Sequence, residues 1–381
     1  MENTRLDGRS GRGTESPAPF DASARRELVG VGRVLRVIVG PLGFERLSPG
    51  AMRPASHYGA VLDAAFARGV DAIDTAPLYG FGEGERVVGE WLRRSGARAT
   101  VLTKVGLSFD REAQGDVFFE SLDASGRAIV VRKDARPRAI LAQLEQSRER
   151  LGVDRLAHVS VHHRDLRVPI DETMGALVDA WRAGVLGAIG VSSFGAADLE
   201  AAARAVDRLS AGALRLSSTQ GLYNLLQRDV ERDVLKVVRA RSIGFLAFSP
   251  LAQGLLAGAA DPSRAIADLR AASPLFSTAN RREIAARVER ELAPLSRRHG
   301  VSVSALALAW VLSREHVTAA VVGARDAAQI TRTLDALRLV SGDHPIDPRV
   351  LDRVGDAFST IELATSAPTR SGLLRRLLGG R

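Results

Sequence analysis

No cysteine occurs among the 381 residues. Disulfides, thiolate metal sites and thiol nucleophiles are therefore excluded, and no metal site is expected. Also missing is any apolar run of the ~18 residues that would span a bilayer. The stretch MENTRLDGRSGRG (1–13) is polar throughout and lacks the apolar segment of an export signal. A cytoplasmic protein without a membrane partner is the expectation. Lysine is scarce: only Lys104, Lys133 and Lys236 stand against fifty arginines. Arginine cannot supply a compact ammonium with a movable pKa, so an isolated lysine in such a chain invites a chemical reading. Lys133, in a charged stretch, reads as ordinary; Lys104 does not. Tyrosine is equally rare, at Tyr58, Tyr79 and Tyr223.

The formal net charge of +9 suggests nucleic acid, but its distribution argues otherwise. Residues 1–36 carry seven arginines against five acids, and residues 365–381 carry four arginines and no acid. Most of the excess thus lies at the two ends, not on a face with aromatic or polar readers, and no nucleic-acid partner is expected. Residues 1–34, rich in Arg, Gly, Ser and Glu, read as a disordered arm, and 365–381 as a basic tail.

Between these ends, short apolar runs alternate with segments of helical period. The runs are LRVIVG (35–40), VDAIDT (70–75), ATVLTKV (99–105), LAHVSVH (156–162), LGAIGVSS (186–193), LRLSSTQ (214–220), IGFLAFS (243–249) and TAAVVGA (318–324). Eight strand–helix units point to an α/β fold, a single-domain (β/α)8 TIM barrel over 35–364 with long loops at its C-terminal face. Two insertions depart from the minimal barrel, at about 106–133 after the third strand and about 252–280 after the seventh. The first is expected to lid the substrate pocket.

In such a barrel the strand ends face one mouth. Asp74 ends the second run, Lys104 the third and His162 the fourth; Tyr79 follows in a Pro/Gly turn. Singly, each has an ordinary explanation: a structural ion pair for Asp74 and Lys104, a core histidine among the three of HVSVHH, a tyrosine packed on Pro77. Together they suit proton donation to a carbonyl. A phenol, with a pKa of ~10, is a poor acid at pH 7. A neighbouring ammonium favours its ionised form, a carboxylate keeps that ammonium charged, and an imidazole can hold the carbonyl oxygen. The set still needs an electron source.

The sequence resembles the aldo-keto reductase superfamily over about 33–345. GVDAIDTAPLYG…GEGERVVGEWL (69–92), VLTKVG, ERLGVDRLAHVSVHH (149–163), GVLGAIGVSSF (184–194), QGLYNLL (220–226), GFLAFSPLAQGLLAG (244–258) and VVGARDAAQI (321–330) follow in the family's order. The resemblance implies a barrel that binds NADPH without a Rossmann domain, and a catalytic tetrad of Asp74, Tyr79, Lys104 and His162 with Tyr79 as acid. It also implies cofactor contacts. Ser192, Ser193 and Gln220 would hold the nicotinamide carboxamide, the second serine replacing the family's asparagine. Phe248 would stack on the nicotinamide, where relatives often carry tyrosine. Ser249, Pro250 and Leu251 would line the pyrophosphate, and Gly323, Arg325 and Gln329 the adenosine-phosphate end, with Arg325 on the 2′-phosphate. Arg332 and Thr333 stand where the family has Glu-Asn for the adenine, and Ala157 and His158 where it usually has Asp-Leu.

The function expected is NADPH-dependent reduction of an aldehyde or ketone, a sugar or sugar-derived carbonyl among the candidates. The partner is then a small-molecule carbonyl substrate; oligomeric state stays open. One rival is a Schiff-base aldolase using Lys104 as nucleophile, which leaves Gln220, Phe248 and Arg325 unexplained. Another is an NADPH-binding redox sensor or partner-docking subunit with residual activity, distinguished by whether a good carbonyl substrate turns over fast.

Overall fold

The computed structural model describes residues 22–40, 53–122, 126–258, 262–266, 269–342 and 345–364. Eight strands close into a barrel in chain order: β1 Val37–Gly40, β2 Ala72–Asp74, β3 Thr100–Val105, β4 Leu156–Val161, β5 Leu186–Ser192, β6 Ser218–Leu222, β7 Gly244–Phe248 and β8 Val317–Gly323. All eight pairings are parallel. The expected TIM barrel is present, each strand lying within or overlapping its apolar run. The sixth is displaced furthest: Leu214 and Leu216 of its run precede the strand and are buried in the surrounding core instead.

Side-chain alternation sorts the strands onto two faces. Ile38, Ala72, Leu102, Leu246, Ala319 and Val321 point inward as one apolar cluster. Their neighbours Val37, Val39, Ile73, Val101, Val159, Ile189, Ala320 and Val322 pack outward in the main core under the helices. The covering helices include α1 Ala55–Phe66, α2 Glu83–Ser95, α3 Pro137–Leu151, α4 Ile170–Arg182, α5 Ala196–Leu209 and α6 Val234–Arg241. Three more, α7 Thr278–Glu291, α8 Ala293–His299 and α9 Val303–Ser313, precede β8; α10 Ala327–Leu334, α11 Ala336–Ser341 and α12 Pro348–Ser359 follow it.

The expectation of a disordered arm over 1–34 is corrected for residues 22–34. Arg25–Leu28 and Gly32–Leu35 form an antiparallel hairpin. Leu28 and Val34 join the inward cluster and stop its N-terminal end, and full burial of one leucine contributes roughly 1.5–3 kcal/mol. Arg25 pairs with Asp71, whose Oδ1 also accepts from Leu35 N at 3.1 Å. Averaged composition hid this hairpin, because its alternating RRELVGVGRVL pattern sits inside an arginine-rich stretch. Residues 1–21 and the tail 365–381 lie outside the described residues.

The first insertion is a three-stranded antiparallel sheet, Leu107–Ser108, Ala128–Lys133 and Val117–Leu122 in spatial order. The second is built of short turns at Ala252–Gly254, Leu269–Ala272 and Pro274–Phe276, with residues 259–261 and 267–268 outside the described set.

Candidate active site

The turn after β2 brings Tyr79 back over the strand ends. Tyr79 N donates to Ala76 O at 3.0 Å, Gly82 N to Pro77 O at 2.6 Å and Gly84 N to Tyr79 O at 2.9 Å. A Cβ on Gly84 would lie 2.9 Å from Tyr79 O and 3.2 Å from Tyr79 Cβ. Only glycine lets α2 begin so close against the tyrosine.

Lys104 is the hub. Its Nζ donates to Asp74 Oδ1 at 2.8 Å and Oδ2 at 2.7 Å, to Thr75 O at 3.0 Å and to Tyr79 OH at 3.4 Å. Lysine and aspartate are both buried, at 1% and 3% exposure, so each would be costly to bury without the other. Burial by itself pulls the lysine pKa down, but the pull of Asp74 and Tyr79 outweighs it and leaves Lys104 above its ordinary value. The ammonium therefore persists at neutral pH. This opposes the aldolase reading, which needs a free amine. The His162 ring meets Tyr79 edge-on, with centroids 6.0 Å apart, and its backbone N–H donates to Val105 O at 2.8 Å. The structure thus gathers all four residues of the expected tetrad at one mouth.

Gln220 also reaches the tetrad. Its Nε2 donates to Asp74 Oδ1 at 2.7 Å, a third hydrogen bond to that carboxylate beside the two from Lys104. Ser192 is its register partner across β5 and β6. Among the described residues neither Ser192 Oγ nor Gln220 Oε1 has a hydrogen-bond partner. A hydroxyl donor beside a carbonyl acceptor matches a carboxamide, which needs one of each.

Ser193, in the family's asparagine position, is exposed and adopts φ 58°, a left-handed conformation that asparagine tolerates better than serine. Its N–H donates to Gln220 O at 2.9 Å. Phe248 ends β7 half-buried, with Ser249 at φ 52° followed by buried Pro250 and Leu251. Ser249 O accepts from Asn224 Nδ2 at 3.1 Å, so this segment offers its outer face only.

At the far end Gly323 and Arg325 are exposed. Arg325 N donates to Gln329 Oε1 at 2.8 Å, and Gln329 N to Asp326 Oδ1 at 2.7 Å, capping α10. Gln329 thus spends its carbonyl on shaping the loop. Thr333 is buried and donates its hydroxyl to Gln329 O at 2.9 Å; it faces inward, leaving Arg332 as the exposed member of that pair.

Two features escaped sequence reasoning. Glu85, fully buried, accepts from Thr103 Oγ1 and Arg150 Nε, each at 2.6 Å. It ties the start of α2 to β3 beside Lys104 and to the end of α3. A buried acid in GEGER followed by ERLGVD was the available signal, but the pairing spans 65 residues. The other is His158, inside the barrel with Nε2 2.9 Å from Ser218 Oγ. Burial, helped by the charge of Lys104, pushes it down to about 3, so it stays neutral.

A model of the aldo/keto reductase family matches residues 37–346. The uncharacterized oxidoreductase YrpG of Bacillus subtilis is 30% identical over 339 residues, 86% of this chain and 93% of the relative. The NADH-specific methylglyoxal reductase of Escherichia coli is 28% identical, covering 72% of this chain and 81% of its own. The solved glycerol dehydrogenase AKR11B4 from Gluconobacter oxydans superposes with a TM-score of 0.75 at 27% identity, over 92% of this chain and 99% of that one.

Proposed function

The chain belongs to the aldo/keto reductase family, and from that premise we propose that it reduces an aldehyde or ketone to the alcohol with NADPH, Tyr79 giving the proton. The observation that carries this is Lys104 Nζ held between the Asp74 carboxylate and Tyr79 OH.

When bound, the reduced nicotinamide supplies the hydride to the carbonyl carbon. The protein does the rest. Ser192 Oγ and Gln220 Oε1 would orient the carboxamide, and half-buried Phe248 would lie against the ring. The substrate carbonyl oxygen accepts the proton from Tyr79 OH as the C–O double bond becomes single. The Lys104 ammonium stabilises the negative charge left on the phenol oxygen, and His162 lies beside it to share a hydrogen bond with the substrate oxygen. Solvent then restores the phenol proton. Asp74 holds the lysine in line, and Gln220 steadies Asp74.

Arg325 supports NADPH over NADH. It is exposed beside the N-terminus of α10 and has no ion-pair partner among the described residues. A guanidinium there suits a 2′-phosphate, bidentate and permanently charged.

The test is consumption of NADPH with a panel of carbonyl compounds, wild type against Tyr79→Phe. Fast turnover abolished by the substitution supports the reading. Tight NADPH binding with only residual turnover on every carbonyl would favour a sensor or docking subunit.

A further inference from the structure

The molecule has few aromatic residues, and four phenylalanines gather beside Tyr79. Of the phenylalanines that the structure describes, Phe194, Phe245, Phe276 and Phe358 are buried as core residues usually are. Phe81, Phe109, Phe118 and Phe119 are only half-covered, and all four pack with Tyr79 around a small cluster of Ala76, Leu78, Leu107 and Val131. Phe81 and Phe109 meet edge-on at 5.5 Å, and Phe118 and Phe119 at 5.7 Å.

The strand carrying the last two is irregular in a telling way. Val117 pairs with Arg132 and Phe119 with Val131, so Phe118 is one residue too many. Neighbours on a regular strand face opposite sides. The bulge re-aims one of them, and both rings reach the same apolar cluster.

From Phe118 the rings continue to the tetrad. Phe118 lies 4.6 Å from His163, His163 stacks on His162 at 5.4 Å, and His162 meets Tyr79. His163 is pushed down to about 4 by burial and by the charge of Lys133, whose Nζ stands 6.0 Å from the Phe118 centroid, so the His163 ring itself is uncharged at neutral pH.

Three guanidinium groups around the lid are already engaged within the protein. Arg132 donates to Gly115 O at 2.9 Å, Arg136 grips Asp134 at 2.7 and 2.8 Å, and Arg164 donates to Val168 O at 2.8 Å. A polyhydroxylated substrate would need a hydrogen-bond partner for each desolvated hydroxyl. A flat apolar ring needs only the half-covered aromatic faces already present.

We infer that the substrate is an aldehyde or ketone borne on an aromatic or comparably flat apolar ring, with Phe118 as a specificity-determining contact. The sugar candidates of the sequence reading are thereby disfavoured. This rests on the carbonyl-reductase reading above.

The experiment measures kcat/KM of the full chain with NADPH for 2-naphthaldehyde, benzaldehyde, methylglyoxal and glyceraldehyde. Wild type is compared with Phe118→Ala and Phe118→Leu. The expected result is a wild-type preference for the two aromatic aldehydes. In Phe118→Ala the ratio of kcat/KM for 2-naphthaldehyde to that for methylglyoxal falls roughly 10- to 100-fold, mainly through KM, the span of a lost apolar contact. Phe118→Leu, which keeps apolar bulk, falls between. Phe118 is half-exposed, so both variants are expected to fold. An equal loss on all four substrates would mean that Phe118 is only structural and would overturn the inference. A wild-type preference for glyceraldehyde would overturn it too while leaving carbonyl reduction intact. Reduction of none of the four would remove the parent reading and the inference with it.

Discussion

Removing the hub lysine tests both the chemistry and the electrostatics of the mouth. In Lys104→Met, Asp74 loses two contacts below 3 Å and among the described residues keeps Gln220 Nε2 at 2.7 Å. Leaving one member of a buried ion pair unpaired costs about 3–5 kcal/mol. The carboxylate can escape by taking up a proton. At pH 7 that costs an ordinary aspartate side chain ~4 kcal/mol, from an unperturbed pKa of ~3.9 at 1.36 kcal/mol per unit. The two routes cost about the same, so a destabilisation of about 3–4 kcal/mol is expected from urea unfolding at pH 7. By the second route the folded variant binds a proton that its unfolded chain lacks, so the deficit shrinks as pH falls from 7 towards 5. Activity should fall roughly 10²–10⁴-fold, as for loss of general-acid catalysis. Tyr79→Phe should match that loss without the stability cost, because Tyr79 OH is only the most distant of the lysine's partners, at 3.4 Å. The double variant should be little worse than either single, since both act on one proton transfer. The assay is NADPH oxidation with a good aldehyde. Near-normal rates in Tyr79→Phe, or losses that multiply in the double variant, would refute the reasoning.

Three further outcomes are expected. Arg325→Ala should weaken NADPH roughly 10- to 100-fold, the scale of a charge-assisted hydrogen bond, while NADH is nearly unaffected; equal losses measured by fluorescence titration would remove the 2′-phosphate assignment. Glu85→Gln leaves Arg150 facing a neutral amide and should cost about 3 kcal/mol, with a drop in kcat because α2 and the Tyr79 turn share that anchor; an unchanged urea midpoint would show that the pair is idle. His158, held near 3 when folded against an ordinary value of 6.5, binds its proton more readily in the unfolded chain. It therefore contributes stability above pH 6.5 that is lost as pH falls towards 3, and His158→Leu should unfold over that range with a shallower pH dependence than wild type.

The sequence alone carried the architecture, because its determinants are local and repeated. Eight apolar runs spaced by helical segments admit few folds, and all eight runs coincide with or overlap a barrel strand. The same logic located Asp74, Lys104 and His162: in a parallel barrel the end of a strand is also a place at the mouth. Tyr79 followed from the Pro/Gly turn beside it.

What only the tertiary structure decided is which polar atom answers which. Gln220 is bound to Asp74 across 146 residues, and Glu85 to Arg150 across 65. Neither pairing leaves a period or spacing in the chain, since hydrogen bonds are chosen by distances set after the barrel closes. Thr333 turns inward because it shares the face of α10 that Ile330 and Leu334 bury, and its hydroxyl is satisfied there by the Gln329 carbonyl one helical turn back. Residues 22–34 fold because Leu28 and Val34 meet an open barrel end that their own segment does not encode. Phe118 and Phe119, which strict alternation would send to opposite faces, share one because a single extra residue in the pairing shifts the register.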